Sequence, residues 1–135
     1  MTAGSAASKL PAPLRRFVEL FNRGEFWDSH EALEDEWRAT GSEFYHGLIL
    51  YASAFVHVAR GNAHGITAQL DKAERALRDY PGGYLGVDVE EIRRHLGQCR
   101  RLVDENRDAE DFEELIPIPR LALQCERIRG DEAEL

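Results

Sequence analysis

The chain has 135 residues, of which 43% are hydrophobic and 31% are charged, and this balance predicts one globular domain with its own core. Its formal net charge is -8, and its lysines and arginines are interspersed with acidic residues, so we expect no binding to nucleic acid. No apolar run approaches the roughly 20 residues of a bilayer-spanning helix, and Cys99 and Cys125 lack a metal-type spacing, so we expect a cytoplasmic protein that does not bind membranes.

The first half of the chain predicts three helices. The first carries apolar residues at the intervals i, i+3, i+4 and i+7, namely Leu14, Phe17, Val18 and Phe21. Gly24 follows it, and a second helix is predicted over residues 25–39. A third helix is predicted from the N-cap Ser42 to about Arg60. The connection between the second and third helices is short, so these two helices should run antiparallel.

The second half predicts two more helices and an extended segment. A fourth helix is predicted over residues 65–80. Asp88, with Glu91 three positions later, has the pattern of a capping box that opens a fifth helix. Pro117 and Pro119 favour an extended backbone after that helix, because proline lacks the amide proton that a helix needs.

Together these elements predict an all-α, up-and-down helical bundle of about five helices. We expect a single bundle domain over residues 11–128. Residues 1–10 are expected to form a disordered leader, and residues 129–135 a frayed acidic tail.

The second helix carries a histidine inside its apolar stripe. Phe26, His30, Leu33 and Trp37 fall within roughly 60° of one another on the helix surface. Glu34 lies one turn beyond His30, at the edge of the same stripe. Burying a polar side chain without a partner costs about 1–3 kcal/mol. The sequence therefore predicts a buried polar partner for His30.

The third helix is apolar nearly all round, which predicts that it is buried. Its polar side chains form one seam: His46, Ser53, His57 and Arg60. An antiparallel register sets Ser53 level with His30 and His57 about one turn away. The same register sets His46 close to Glu34 and Trp37. Because His46 and His57 lie about 16 Å apart along the axis, at most one of them could join a site with His30.

One chemistry that these residues could support is metal binding. His30 and Glu34 have the i, i+4 spacing of two ligands on one ion, and they resemble half of a His-Glu-x-x-His zincin helix with Glu34 in place of the second histidine. With His57 or His46 as a third ligand, the set would suit zinc or iron in a metal-dependent hydrolase or oxidoreductase, for which we take His30, Glu34 and His57 as the ligand set. We nevertheless expect no cofactor, because a half-motif alone is weak support for a metal.

The pattern favours an architectural function over this enzymatic one. A buried His/Glu polar network between helices two and three would fix their register in a non-catalytic domain. No Ser, Cys or Lys nucleophile with an activating spacing and no Gly-rich phosphate loop accompanies His30. A third possibility is a protein-interaction module or a homodimer that presents its acidic face to a basic partner.

Two motifs resemble a family of small bacterial and archaeal proteins, domain of unknown function number 309. The first lies in residues 20–37, and the second comprises residues 44–52 followed by His57 and residues 60–62. The resemblance covers about residues 14–77 and implies an all-α, up-and-down bundle with no assigned activity. The family's signature positions correspond to His30, Glu31, Glu34, Trp37, His57 and Asn62. The family usually has glutamine where this chain has His46, which implies a hydrogen-bonding role there rather than metal ligation.

Overall fold

The computed structural model describes residues 10–121, and this part of the chain is all-α without a β-strand. Its helices are α1 (Ala12–Asn22), α2 (Phe26–Thr40), α3 (Glu43–Ala59), α4 (Ala63–Leu77), α5 (Val89–Glu105) and the short α6 (Phe112–Leu115). The five longer helices each pack against the next one along the chain, and α6 packs against α3. The predicted all-α bundle of about five helices is thus confirmed. None of the described helices is both long and apolar enough to cross a bilayer.

Side-chain caps fix where three of these helices begin. The Ser42 hydroxyl accepts a hydrogen bond from the backbone N–H of Tyr45 at 3.1 Å, and this bond confirms the predicted start of α3. The Asp88 carboxylate likewise accepts from the backbone N–H of Glu91 at 3.1 Å, at the predicted start of α5. The start of α4 was predicted two residues late, because the Asn62 amide oxygen caps this helix and Ala63 is its first residue.

The end of α4 depends on an arginine from α5. The Arg93 guanidinium donates to the carbonyl oxygens of Leu77 and Tyr80, each at 2.6 Å, and also to that of Arg78. These carbonyls lie at the C-terminal end of α4, where a helix lacks backbone donors and its dipole favours a cation. The helix therefore ends at Leu77 rather than at the predicted residue 80.

Helix α3 lies at the centre of the core, as its sequence predicts. Phe44, Tyr45 and Leu48 are fully buried along it. Gly47 lets α4 approach closely, since a Cβ at that position would lie 2.6 Å from the Cδ2 atom of Leu77. Close packing of this kind leaves no room for an added methyl group without movement of the neighbouring helix.

The segment after α6 is extended, as its prolines predict, and it returns to the bundle. The Asn22 side chain binds both backbone groups of Leu121, accepting from the N–H at 2.7 Å and donating to the carbonyl at 3.1 Å. This segment leaves Ile118 83% exposed. At the other end of the described chain Leu10 is buried, so it belongs to the core rather than to the predicted leader. The rest of that leader and the predicted acidic tail lie outside the described residues.

Candidate functional site

His30 is partly buried and lies at the edge of the core rather than inside it. Its side chain is 20% exposed, and the buried residues of α2 are Ser29 and Leu33. Ser29 can be buried because it is small and its hydroxyl donates to the Phe26 carbonyl of its own helix at 2.8 Å. The helix therefore turns this line of residues toward the core. His30 lies beside it, with its ring stacked against Trp27 at a centroid distance of 5.3 Å.

The carboxylates next to His30 have their partners within α2 or lie in solvent. Glu34 accepts a hydrogen bond from the Arg38 guanidinium at 2.5 Å, while its other oxygen is 4.0 Å from Nδ1 of His30. Glu31 is exposed. These ion pairs join positions i and i+4 of one helix, so they do not form the predicted link to α3.

The contact that does join α2 to α3 is an aromatic stack. The rings of Trp37 and His46 are parallel within 4°, and their centroids are 4.2 Å apart. Nδ1 of His46 lies 3.6 Å from a carboxylate oxygen of Glu43 on the same helix. The predicted proximity of His46 to Trp37 is confirmed, and the contact between the two helices is ring stacking.

His57 belongs to the corner between α3 and α4. Its Nδ1 lies 3.4 Å from Nδ2 of Asn62, and because an amide nitrogen only donates, Nδ1 is the acceptor. Burial, with a smaller effect from the nearby charge of Arg60, lowers the pKa of His57 and so favours its neutral form. Gly65 makes room for this ring, since a Cβ there would lie 2.5 Å from Nδ1. Ser53, earlier on α3, is half-buried.

The structure does not bring the three predicted metal ligands together. Within residues 10–121, no group of three or more His, Cys, Asp or Glu side chains could hold a metal ion. His30 and Glu34 share α2, whereas His57 contacts Asn62 and is packed at the start of α4. The sequence pattern correctly predicts that His30 and Glu34 share one face of α2, but His57 packs in the corner between α3 and α4.

An apolar groove lies between the α1–α2 turn, the C-terminal half of α3 and the segment after α6. It consists of two adjoining cavities of about 180 and 310 Å³. Both are lined by Phe26 and Phe55, so we call this feature the Phe26–Phe55 groove. Trp27 at one end is 53% exposed, and Ile118 at the other is 83% exposed. These are the two exposed large hydrophobic side chains of the described part of the chain.

The charges that line this groove are mainly negative. Glu25, Asp28 and Glu113 contribute carboxylates, and Arg60 contributes one guanidinium. All four residues are exposed, and within residues 10–121 none of the three carboxylates takes part in an ion pair. An apolar floor with an acidic edge is thus open to solvent.

The buried polar centre of the molecule is His95 rather than His30. Its Nε2 is 3.1 Å from the carbonyl oxygen of Pro117, and its Nδ1 is 2.7 Å from the hydroxyl of Tyr51. A carbonyl only accepts, so Nε2 carries the proton and Nδ1 accepts the hydroxyl proton of Tyr51. Burial lowers the pKa of His95, with smaller opposing effects from its bond to Pro117 and from the charge of Glu91. The neutral form of the ring is therefore favoured, and the ring ties α3 and α5 to the extended segment.

Cys99 lies next to His95 but is not an activated nucleophile. Its Sγ is 3.5 Å from Nε2 of His95, and the side chain is fully buried. Burial raises the pKa of the thiol to about 12. A thiol that stays protonated at neutral pH is neither a strong nucleophile nor a good metal ligand.

Little in the sequence identifies these features in advance. His95 and Cys99 are one helical turn apart on the inner stripe of α5, which indicates a buried pair, but their partners Tyr51 and Pro117 are distant in the chain. Trp27 falls inside the first motif, yet its exposure follows from the rotation of α2 and has no signal in the apolar pattern.

Comparison with known proteins bears on the first half of the chain. No curated protein and no solved structure matches the chain. Residues 14–68, from α1 into α4, match the model of the family described as a domain of unknown function, DUF309, and this match confirms the resemblance predicted from the two motifs.

Proposed function

We propose that this protein is an interaction domain whose Phe26–Phe55 groove binds an apolar segment of a partner protein that also carries lysine or arginine. The observation that carries this proposal is the position of Trp27 and Ile118. Both exposed large hydrophobic side chains of the described region flank one groove. Exposed apolar side chains that are grouped in this way, rather than scattered, typically mark a binding surface.

The composition of the groove supports a protein segment as the occupant. Aromatic side chains such as Trp27 and Phe26 dominate the binding energy of many interfaces, because they bury large areas at a small cost in conformational entropy. A helix or an extended segment presents apolar side chains at regular intervals, and these can fill the two adjoining cavities in turn.

Charge favours a basic partner over a second copy of this chain. Among the described residues, Glu25, Asp28 and Glu113 line the groove with three negative charges, against one positive charge from Arg60. The whole chain carries a formal charge of -8, so two copies repel each other. A partner with lysine or arginine beside its apolar residues would gain both faster association and specificity.

The motif residues around His30 have an architectural part in this proposal. The stack of Trp37 on His46 holds α2 against α3, and the pair of His57 and Asn62 fixes the corner into α4. These contacts support the two helices from which the groove wall is built. This function needs no chemistry of His30 or Glu34, whose side chains are 20% and 25% exposed and lie beside each other on α2.

The two tryptophans allow a direct test with an internal control. In a Trp37→Phe variant, Trp27 is the sole tryptophan, and in a Trp27→Phe variant, Trp37 is. We would titrate each with a synthetic amphipathic helical peptide of leucine and lysine, and with a matched peptide of leucine and glutamate. The lysine peptide is expected to shift the emission of Trp27 to shorter wavelength and to leave that of Trp37 unchanged.

Two substitutions test the site and its charge. Ile118→Ala in the Trp37→Phe background should weaken the lysine peptide by about tenfold or more, the usual effect of losing a well-packed anchor. Asp28→Asn should weaken it and flatten its salt dependence, whereas Glu105→Gln on α5, away from the groove, should do neither. Equal affinity for the two peptides, or a shift of Trp37 alone, would overturn the proposal.

A further inference from the structure

We infer that a second cavity, which shares only Pro117, Ile118 and Pro119 with the lining of the Phe26–Phe55 groove, binds a small organic compound through an ammonium group. This cavity has a volume of about 320 Å³ and lies between α3, the first turns of α5 and the extended segment. We call it the Tyr51–His95 cavity, after the two buried polar residues that line it. Its size is at the lower end of the range for small-ligand sites.

The hydrogen bonds of the buried residues determine what the cavity offers to a ligand. His95 donates through Nε2 to Pro117 and accepts through Nδ1 from Tyr51, so both of its ring nitrogens are already engaged. The Tyr51 hydroxyl uses its proton in that bond, so its oxygen can only accept a further hydrogen bond. The buried end of the cavity therefore requires a hydrogen-bond donor from the ligand.

The wall formed by α5 adds further acceptors and negative charge. Asp88 is half-buried, and one of its oxygens caps the helix. Glu91 is exposed and one of its carboxylate oxygens is paired with Arg94. Its charge still raises the pKa of both Tyr51 and His95, although burial is the main influence on each. These groups favour a positively charged hydrogen-bond donor. An ammonium group supplies the N–H donors and the positive charge together. Arg120 on the opposite wall is exposed, as Glu91 is, so solvent and salt screen both charges, and the half-buried carboxylate of Asp88 is the least screened charge of the lining.

The rest of the lining suits the carbon skeleton of such a ligand. Ile92, Ile118 and Leu121 are apolar residues of the same cavity. A compact aliphatic amine would bury its hydrocarbon part against them while its ammonium group meets the acceptors of Tyr51 and α5. An anion or a purely apolar compound would leave those acceptors unsatisfied.

Cyclohexylamine, which is protonated at neutral pH, is a suitable probe, and cyclohexanol is its neutral match. We would follow each titration by the backbone and methyl NMR signals of the full chain. Cyclohexylammonium is expected to shift the signals of Ile92 and His95 saturably, and to bind about tenfold more tightly than cyclohexanol. Equal binding of the two compounds, or no saturable shift up to about 20 mM amine, would overturn the inference.

Charge-neutral variants test the acceptors on α5. Asp88→Asn removes the charge but keeps the cap, since asparagine caps helices as well as aspartate does. Together with Glu91→Gln it should weaken amine binding about tenfold. Glu90→Gln is the matched control, because Glu90 is in the same helical turn but does not line the cavity. Equal losses in Glu90→Gln and in the double variant would reject the site.

The same titration separates this inference from the proposed function. Trp27 lines the groove and not the Tyr51–His95 cavity. Trp27→Ala should therefore abolish peptide binding while leaving amine binding unchanged. If the amine shifts only signals around Phe26 and Trp27, it binds in the groove, and the inference about the second cavity fails.

Discussion

Replacing Tyr51 by phenylalanine tests the buried hydrogen bond between α3 and α5. The Tyr51 side chain is 2% exposed and His95 is 8% exposed, so their hydrogen bond lies at the buried end of the Tyr51–His95 cavity. Phenylalanine keeps the ring contacts with Phe21 and Phe55, whose centroids lie 5.2 and 5.3 Å from that of Tyr51. The variant therefore removes one hydrogen bond and leaves Nδ1 of His95 with only the weak donor Cys99, whose Sγ lies 3.8 Å away.

The expected loss of unfolding free energy is about 1–3 kcal/mol, because a buried acceptor that loses its strong donor is poorly satisfied by a thiol, which donates only weakly. For a domain of this size, that loss lowers the midpoint of urea unfolding by roughly 1 M. Circular dichroism in urea measures it, with an unchanged slope of free energy against urea as the sign that both states kept their compactness.

Two results would refute the reasoning. The first is a double-mutant cycle of Tyr51→Phe with His95→Leu in which the coupling energy is below about 0.3 kcal/mol, the level expected of independent sites. The second is nitrogen NMR of His95 in the folded protein with the proton on Nδ1 rather than on Nε2. That tautomer would reverse the direction of the Tyr51 hydrogen bond and remove the basis for an acceptor in the cavity.

Three more predictions concern stability. Gly47→Ala should destabilise the protein by about 1–3 kcal/mol in urea unfolding, since the new methyl group meets Leu77. Gly97→Ala has nothing within 4 Å of the new methyl group and should stabilise the protein by up to about 1 kcal/mol. A Gly47→Ala variant more stable than Gly97→Ala would contradict the packing of α3 on α4. Arg93→Met should lower the melting temperature and cost about 1–3 kcal/mol, as the α4 carbonyls lose their donor. Because burial lowers the pKa of His95 below its ordinary 6.5, the unfolded chain takes up the proton first as pH falls. Stability should then decrease below about pH 6.5 by up to roughly 1.4 kcal/mol per pH unit, and His95→Gln should remove that part of the pH dependence measured by urea unfolding at pH 7.5 and 5.5.

The helices could be predicted from the chain because their signals are local. The caps at Ser42 and Asp88 lie within three residues of the amides that they bind. By contrast, the end of α4 was predicted too late, because its carbonyls are bound by Arg93, which lies sixteen positions beyond Leu77 in the chain. Pattern reasoning detects a bond within one helical turn but not one between separate helices.

The candidate site was predicted less well for a similar reason. The residues of the stripe that contains His30 do lie along one side of α2. A rotation of the helix by a fraction of a turn nevertheless decides whether His30 or Ser29 faces the core. The register of α2 on α3 did identify the contact of Trp37 with His46. It did not identify the partner of His57, because Asn62 and Gly65 form the corner to α4.

The sequence by itself determined the all-α class, the order and approximate limits of the helices, the burial of α3 and the family-like motifs. These properties depend on apolar periodicity, caps and chain breaks, which act over one or two turns. Only the tertiary structure decided that His95, rather than His30, is the buried polar centre, and that Trp27 and Ile118 flank one groove. Those outcomes depend on how far each helix is rotated about its axis and on where the extended segment returns, and both are set by packing between residues that are distant in the chain.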